Sequence, residues 1–264
     1  MKSYLQTAIK SAIEAGKAIL DVYEQEVDVT LKDDRSPLTA ADLASNRVIN
    51  TYLKETDIPV ISEENKQIAY SERKGWNRCW IVDPLDGTKE FIKKNGEFTV
   101  NIAICEGQKP ILGVIYVPVS RELYYADTSD GKAYKTVLGK DHGIPSALFE
   151  ESDQIRPSRG GDTVIRIVGS RSHMNQDTLD YIDRVKVHYK DVEIVSKGSS
   201  LKFCLVAEGR ADVYPRFAPT MEWDTAAGHA ICRAVGLQVV SQTTQKELAY
   251  NKEDLLNDYF LVEQ

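Results

Sequence analysis

The sequence predicts an α+β fold: a helix-led, sheet-rich first half and a second half in which strands and helices alternate. Three observations carry this: an amphipathic stripe in the first 23 residues, a series of short β-branched and aromatic runs from Ile58 to Ala126, and a strand and helix alternation from Val164 onward. With 264 residues, 42% of them hydrophobic, 16 Gly and 9 Pro, the chain can form one large domain or two ordinary ones. It is neither a disordered nor a low-complexity sequence.

Leu5, Ile9, Ala12, Ile13, Gly16, Ile19 and Tyr23 recur at spacings of three and four and predict the first helix. A second helix is expected after SPLTAAD, where Thr39 can cap the N-terminus and Asp42 stands three residues on, as in a capping box. Its apolar face is Val48, Ile49, Tyr52 and Leu53. The runs IPVIS, CWIVD, FTVNIAIC, ILGVIYVPV and ELYYA then read as strands of one sheet. A stretch rich in Ser, Arg, Gly, Asp and Pro, from about Pro145 to Asp162, is the expected interdomain connection. It divides an N-terminal α+β domain, 1–150, from a C-terminal α/β domain, 151–264. There VIRIVG, VEIV, ADVYP and LQVV alternate with helical stretches at about 176–187, 199–208 and 225–235. A cleft between two such halves is a common place for a small-molecule site.

Lys plus Arg total 33 against 40 Asp plus Glu, a net charge of −7. That balance argues against binding nucleic-acid polymers or anionic lipid, and a phosphorylated small molecule would need a local source of positive charge. Cys79, Cys105, Cys204 and Cys232 are far apart, show no zinc spacing and read as buried free thiols. The apolar-rich stretch Ile111 to Val119 is too short to span a bilayer, and the first residues lack a signal-peptide pattern, so the cytoplasm is the expected compartment.

The chemistry concentrates in CWIVDPLDGTKEFI. A strand, Trp80 to Val82, leads into Asp83, Pro84, Leu85, Asp86 and Gly87, which read as a turn, and Thr88 opens a short turn or helix over Lys89, Glu90, Phe91 and Ile92. Two carboxylates, a glycine and free backbone N–H groups meet there, as a cation and phosphate site needs, although the residues equally suit an ordinary strand-ending turn. Glu63 and Glu64 directly follow the strand VIS, and Asp224 in MEWDTAAGHA stands just ahead of a helix. If these ends converge, Glu63, Asp83, Asp86 and Asp224, with the Leu85 carbonyl as a neutral ligand, form an oxygen-only set suited to Mg²⁺ rather than zinc. Taken singly, Asp224 is explained as an N-cap, Glu64 as a solvated neighbour and Asp42 as part of its capping box. Together, their repeated placement beside strand ends favours the cation site.

ISEEN, IVDPLDGTKEFI and EWDTAAGHA, with LTAAD upstream, resemble the signatures of the lithium-sensitive, Mg²⁺-dependent phosphatases of the inositol monophosphatase superfamily, in the family's order over residues 39 to 236. The Lys89, Glu90, Phe91 run after DGT, then NGEFTVNIAI, SRSH, GSSLKFCLVAEGRADVYPRF and WDTAAGHA are most similar to its bacterial 3′(2′),5′-bisphosphate nucleotidases of the CysQ type. The resemblance implies a layered α-β-α-β-α sandwich of the inositol monophosphatase/fructose-1,6-bisphosphatase type. It implies hydrolysis of adenosine 3′,5′-bisphosphate (PAP) to AMP and phosphate, extending to conversion of its sulfated analogue PAPS to APS, with a role in sulfur metabolism. Two or three Mg²⁺ ions, held by Glu63, Asp83, Leu85, Asp86 and Asp224, would clamp the ester phosphate and activate water, with inhibition by Li⁺.

By the same resemblance, Thr88 and Glu63 position and deprotonate the water, Asp42 accepts a hydrogen bond from Thr88, and the N–H groups of Gly87 and Thr88 bind phosphate. Glu63, Leu85, Asp86 and Asp224 border the substrate as well, and His173, Ser199, Lys202 and Arg216 match its nucleotide contacts. A Ser, Lys and Arg set suits a second phosphate and answers the unfavourable net charge. The expected partner is a small nucleotide bisphosphate, without a transmembrane segment; peripheral association with the inner membrane's cytoplasmic face and the oligomeric state stay open. The weighed alternatives are an inositol monophosphatase or sugar bisphosphatase of the same superfamily, a haloacid-dehalogenase-type phosphatase whose DxDGT is one residue shorter than DxxDGT here, and a non-catalytic nucleotide or cation sensor.

Overall fold

A computed structural model describes residues 1–24, 29–31, 37–158, 161, 163–169 and 175–263, with 29–31 and 37–39 described by backbone alone. In chain order the first half comprises α1 (Lys2–Tyr23), β1 (Val29–Leu31), β2 (Pro37–Thr39), α2 (Ala40–Leu53), β3 (Val60–Ser62), α3 (Tyr70–Arg73), β4 (Arg78–Asp86) and α4 (Thr88–Ile92). It continues with β5 (Thr99–Glu106), β6 (Lys109–Val117), β7 (Glu122–Asp127), β8 (Lys132–Val137) and β9 (Gln154–Ile155). The second half adds β10 (Val164–Gly169), α5 (Gln176–Lys186), β11 (Asp191–Ser196), α6 (Leu201–Ala207), β12 (Tyr214–Arg216), α7 (Glu222–Ala234), β13 (Gln238–Ser241) and β14 (Phe260–Glu263).

Strands β3 to β9 form one seven-stranded sheet in sequence order, antiparallel except for the parallel β3/β4 pair. The period-two alternation sends its side chains into two cores. Trp80, Val82, Val100, Ile102 and Val114 face Leu5, Ile9 and Ile13 of α1 and Ile49 and Leu53 of α2. Cys79, Ile81, Ala103, Ile115 and Tyr124 face Ala226, Ala227 and Ile231 of α7 and Phe203 of α6.

Behind α6 and α7 lies a second sheet, β12-β14-β13, joined to the parallel β10/β11 pair through the Ile167–Val213 bridge. Ile182 of α5 packs on its outer face with Ile165, Ile167 and Val213. The layers therefore run α, β, α, β, α. The small residues of α7 serve this stacking: a methyl group built at Gly113 of β6 would overlap the Ala227 carbonyl, and one at Gly228 would overlap the Phe203 ring. The helix is thus held close to the sheet on one side and to α6 on the other.

Several boundaries differ from the sequence reading. The strand at Trp80 continues through Asp86, with a register irregularity between Asp83 and Asp86, so the expected turn is an irregular strand end. The segments β8, β9 and β14 were not singled out in the sequence, and ADVYP contributes only Tyr214 and Pro215 to β12, which ends at Arg216. The Thr39 side chain, expected as a cap, lies outside the described residues. All four cysteines are buried free thiols, and among the described residues no helix is long and apolar enough to cross a membrane.

Candidate active site

At the irregular end of β4 the chain turns on its own carboxylate: Asp83 Oδ1 accepts the Leu85 N–H at 3.0 Å. Ser45 Oγ of α2 donates to the Pro84 carbonyl at 2.6 Å and fixes the segment from the other side. Asp83 and Asp86 are thereby presented toward the start of α7. Asp224 stands inside the first turn of that helix rather than ahead of it, because the extended Met221 is the N-cap. Asp224 is therefore not the N-cap but the N3 residue of a capping box, its Oδ2 accepting the Met221 N–H at 2.8 Å. One carboxylate oxygen from each of Asp83, Asp86 and Asp224 lies within 4.8 Å of the others.

Burial raises the pKa of Asp83, and the charges of Glu63, Asp86, Asp224 and Asp42 raise it further, so all five carboxylates occupy one neighbourhood. Glu63 directly follows β3, its N–H bonded to the Val82 carbonyl at 3.2 Å, and Asp42 is 1% exposed in the first turn of α2. Asp224 is pushed up to about 7, first by burial and then by Asp86, against the Met221 N–H and Arg216. Asp86 is raised by burial, with Lys202, the Ser200 N–H and Asn101 opposing. Enclosed carboxylates that repel one another are costly without a counter-charge. Their donor atoms are all oxygen, and the set fits a hard divalent cation such as Mg²⁺ better than a soft one.

A cleft of about 130 Å³ borders this cluster, with Asp86, Gly87, Ser199, Lys202, Arg216 and Asp224 in its lining. Gly87, at φ 97°, takes the left-handed backbone that ends β4 and opens α4 at the half-buried Thr88. Lys202 is 7% exposed, its Nζ donates to the Ser199 carbonyl at 2.6 Å, and it lies 5.7 Å from the Tyr214 ring centre. Burial lowers its pKa to about 8, with Asp86 pulling upward and Arg216 downward. Arg216 donates to the Pro219 carbonyl at 3.2 Å, while its buried Nε has no hydrogen-bond partner among the described residues. Two cations line the cleft, which is the chemistry an anionic group meets there.

The structure thus brings Asp42, Glu63, Asp83, Asp86 and Asp224 together, and Ser199, Lys202 and Arg216 beside them. Leu85 is 1% exposed between the two β4 carboxylates. Glu64 is half-buried next to Glu63, and His173 lies outside the described residues. Sequence reasoning missed Thr99, Asn101 and Ser200, which pack behind the cleft with exposures of 0%, 1% and 2%. Their signal was present in NGEFTVNIAI and GSSLKF, but the partners are about a hundred residues apart. A larger cavity of about 360 Å³, lined by Tyr181, Val185, Tyr189 and Val213 among others, adjoins α5 and, among the described residues, carries no convergent carboxylate cluster.

A model of the inositol monophosphatase family matches residues 1–262. The 3′(2′),5′-bisphosphate nucleotidase CysQ of Salmonella typhimurium is 46% identical over 263 residues, covering 98% of each chain, and that of Escherichia coli K12 is equally similar. Among solved structures, CysQ from Bacteroides thetaiotaomicron, described as a bacterial member of the inositol monophosphatase family, superposes with a TM-score of 0.88 at 48% identity, covering 100% of this chain and 97% of that one. The IMPase of Thermotoga maritima shares the fold at 22% identity and a TM-score of 0.73, covering 99% and 92%.

Proposed function

This chain belongs to the inositol monophosphatase family, and we propose that it is a 3′(2′),5′-bisphosphate nucleotidase that hydrolyses adenosine 3′,5′-bisphosphate to AMP and phosphate. The observation that carries this reading is the juxtaposition of the Asp83, Asp86, Asp224 cluster with Lys202 and Arg216 around one cleft. A monophosphate substrate needs only the first group of residues, whereas a bisphosphate uses both. The full-length similarity to nucleotidases of that name supports the same choice.

Asp83, Asp86, Asp224 and Glu63, with the Leu85 carbonyl, would hold Mg²⁺, which when bound supplies Lewis acidity toward the ester phosphate and acidifies water. In our reading the Thr88 hydroxyl orients the attacking water, Glu63 takes its proton, and Asp42 holds Thr88 in place. The N–H groups of Gly87 and Thr88 hold phosphate oxygens. Ser199, Lys202 and Arg216 bind the second phosphate, and His173 joins the nucleotide contacts. In-line attack forms the new phosphorus–oxygen bond as the bond from phosphorus to the ribose oxygen breaks, and that oxygen takes up a proton from solvent, giving AMP and phosphate.

The same reading extends to two or three Mg²⁺ ions, inhibition by Li⁺, conversion of PAPS to APS and a role in sulfur metabolism. It places the protein in the cytoplasm, extends to peripheral contact at the cytoplasmic face of the inner membrane, and treats residues 1–150 and 151–264 as its two domains.

The substitution Arg216→Ala tests the substrate assignment. It is expected to raise KM for adenosine 3′,5′-bisphosphate about tenfold or more, from the loss of a charge-assisted hydrogen bond, while changing KM for a simple phosphate monoester by less than about threefold. Equal effects on the two substrates would remove Arg216 from the second-phosphate site.

A further inference from the structure

Asp86 and the Ser199 turn come from different halves of the chain, and a buried polar cluster connects them. Thr99 and Asn101 are two residues apart on β5 and so share one face of the strand. Asn101 Oδ1 accepts from Ser200 Oγ at 2.7 Å and from Thr99 Oγ1 at 3.0 Å, and the two hydroxyl oxygens are 2.8 Å apart. Ser200 Oγ donates to Asn101, and with the Thr99 proton spent on Asn101 or on Ser200, Thr99 Oγ1 is left to accept from Ser199 Oγ, 3.1 Å away. Ser199 sits at φ 44°, a left-handed conformation unfavourable for a residue with a side chain, so its turn needs such external support.

The cluster reaches the carboxylate as well. Asn101 Nδ2 donates to Asp86 Oδ2 at 3.4 Å. Glu97, just ahead of β5, accepts the Gly198 N–H at 2.9 Å and fastens the start of the same turn. Apolar residues of equal shape could fill this space without loss of stability. What they could not do is hold an acid on β4 and a hydroxyl-bearing turn before α6 in one hydrogen-bonded unit.

We propose that Asn101 is a positioning residue that couples divalent-cation binding at Asp86 to nucleotide binding at the Ser199 turn, with Thr99 and Ser200 carrying the contact into the turn. This rests on the reading that Asp86 holds a cation and Ser199 faces the nucleotide. Ordering of Asp86 by a bound cation orders Asn101 and Ser200, and the turn is then already set when the nucleotide arrives.

The test measures Mn²⁺ binding by electron paramagnetic resonance and AMP binding by calorimetry, on wild type, Asn101→Ala, Thr99→Val and Ser200→Ala. Asn101→Ala is expected to weaken both Mn²⁺ and AMP about tenfold, the loss of a hydrogen bond to a charged group. Thr99→Val and Ser200→Ala leave the Asn101 amide on Asp86, and should weaken AMP about fivefold with Mn²⁺ changed less than twofold. A purely structural role would lower the melting temperature without producing this split. Wild-type binding of both ligands, with Asn101→Ala within twofold for each, overturns the proposal. If Asn101→Ala does not fold, unchanged AMP affinity in Ser200→Ala overturns it instead. Failure of the wild type to bind either probe overturns the underlying site reading together with this inference.

Discussion

Asp83, 1% exposed and pressed by four other carboxylates, carries its charge at a cost. A cation bound only by the folded state stabilises it by mass action, about 2.7 kcal/mol at a hundredfold excess over the dissociation constant. Adding saturating Mg²⁺ to EDTA-treated protein should therefore raise the melting temperature by about 5 °C or more. Asp83→Asn should abolish most of that rise, a result read by thermal denaturation with and without the cation; an undiminished rise would place the cation elsewhere. At this level the acids were legible because their residue types and strand-end positions are local facts. Asn101 was not, because its meaning depends on Ser200, whose hydroxyl it receives across ninety-nine positions of sequence.

The helix α7 illustrates what each element must satisfy at once. Its small residues admit β6 so closely that Gly113→Ala should cost about 2 kcal/mol or more and lower the melting temperature by about 4–8 °C, measured by calorimetry, unless the helix shifts. His229 on the same helix, 1% exposed, has Nδ1 3.0 Å from the Tyr250 hydroxyl and Nε2 3.9 Å from Glu247. Burial holds its pKa below the usual histidine range, with Arg233 lowering and Glu247 raising it. The unfolded chain then takes up a proton near pH 6.5 that the folded chain refuses, so this stability is present above that pH and is lost as pH falls through it. The contribution lost by pH 5.5 is up to about 1.4 kcal/mol, read as a falling urea midpoint, and His229→Gln should flatten that fall. An unchanged slope in the variant would exclude His229 as the source. Long periodic elements such as α1 were legible from pattern, whereas β9, of 2 residues, is too short to show a period. The irregular end of β4 was hidden because Asp, Pro and Gly mark turns and bulged strand ends alike.

For the molecule as a whole, the net charge of −7 and the anionic substrate are reconciled by placement, since the carboxylates gather where a cation fits and Lys202 and Arg216 face the same cleft. Alternation of helices and strands was visible in the sequence, but the order of the five layers follows from which faces pack, a nonlocal fact carried there only by family resemblance. In the proposed function, one cleft unites a cation-dependent phosphatase centre with a second-phosphate site. Phosphate release from adenosine 3′,5′-bisphosphate, inositol 1-phosphate and fructose 1,6-bisphosphate, each with Mg²⁺, with EDTA and with Mg²⁺ plus Li⁺, tests it most directly. Rapid release is expected from the adenosine compound alone, abolished by EDTA and reduced by Li⁺; preference for inositol or fructose phosphate, or release that persists in EDTA, would rule out this site.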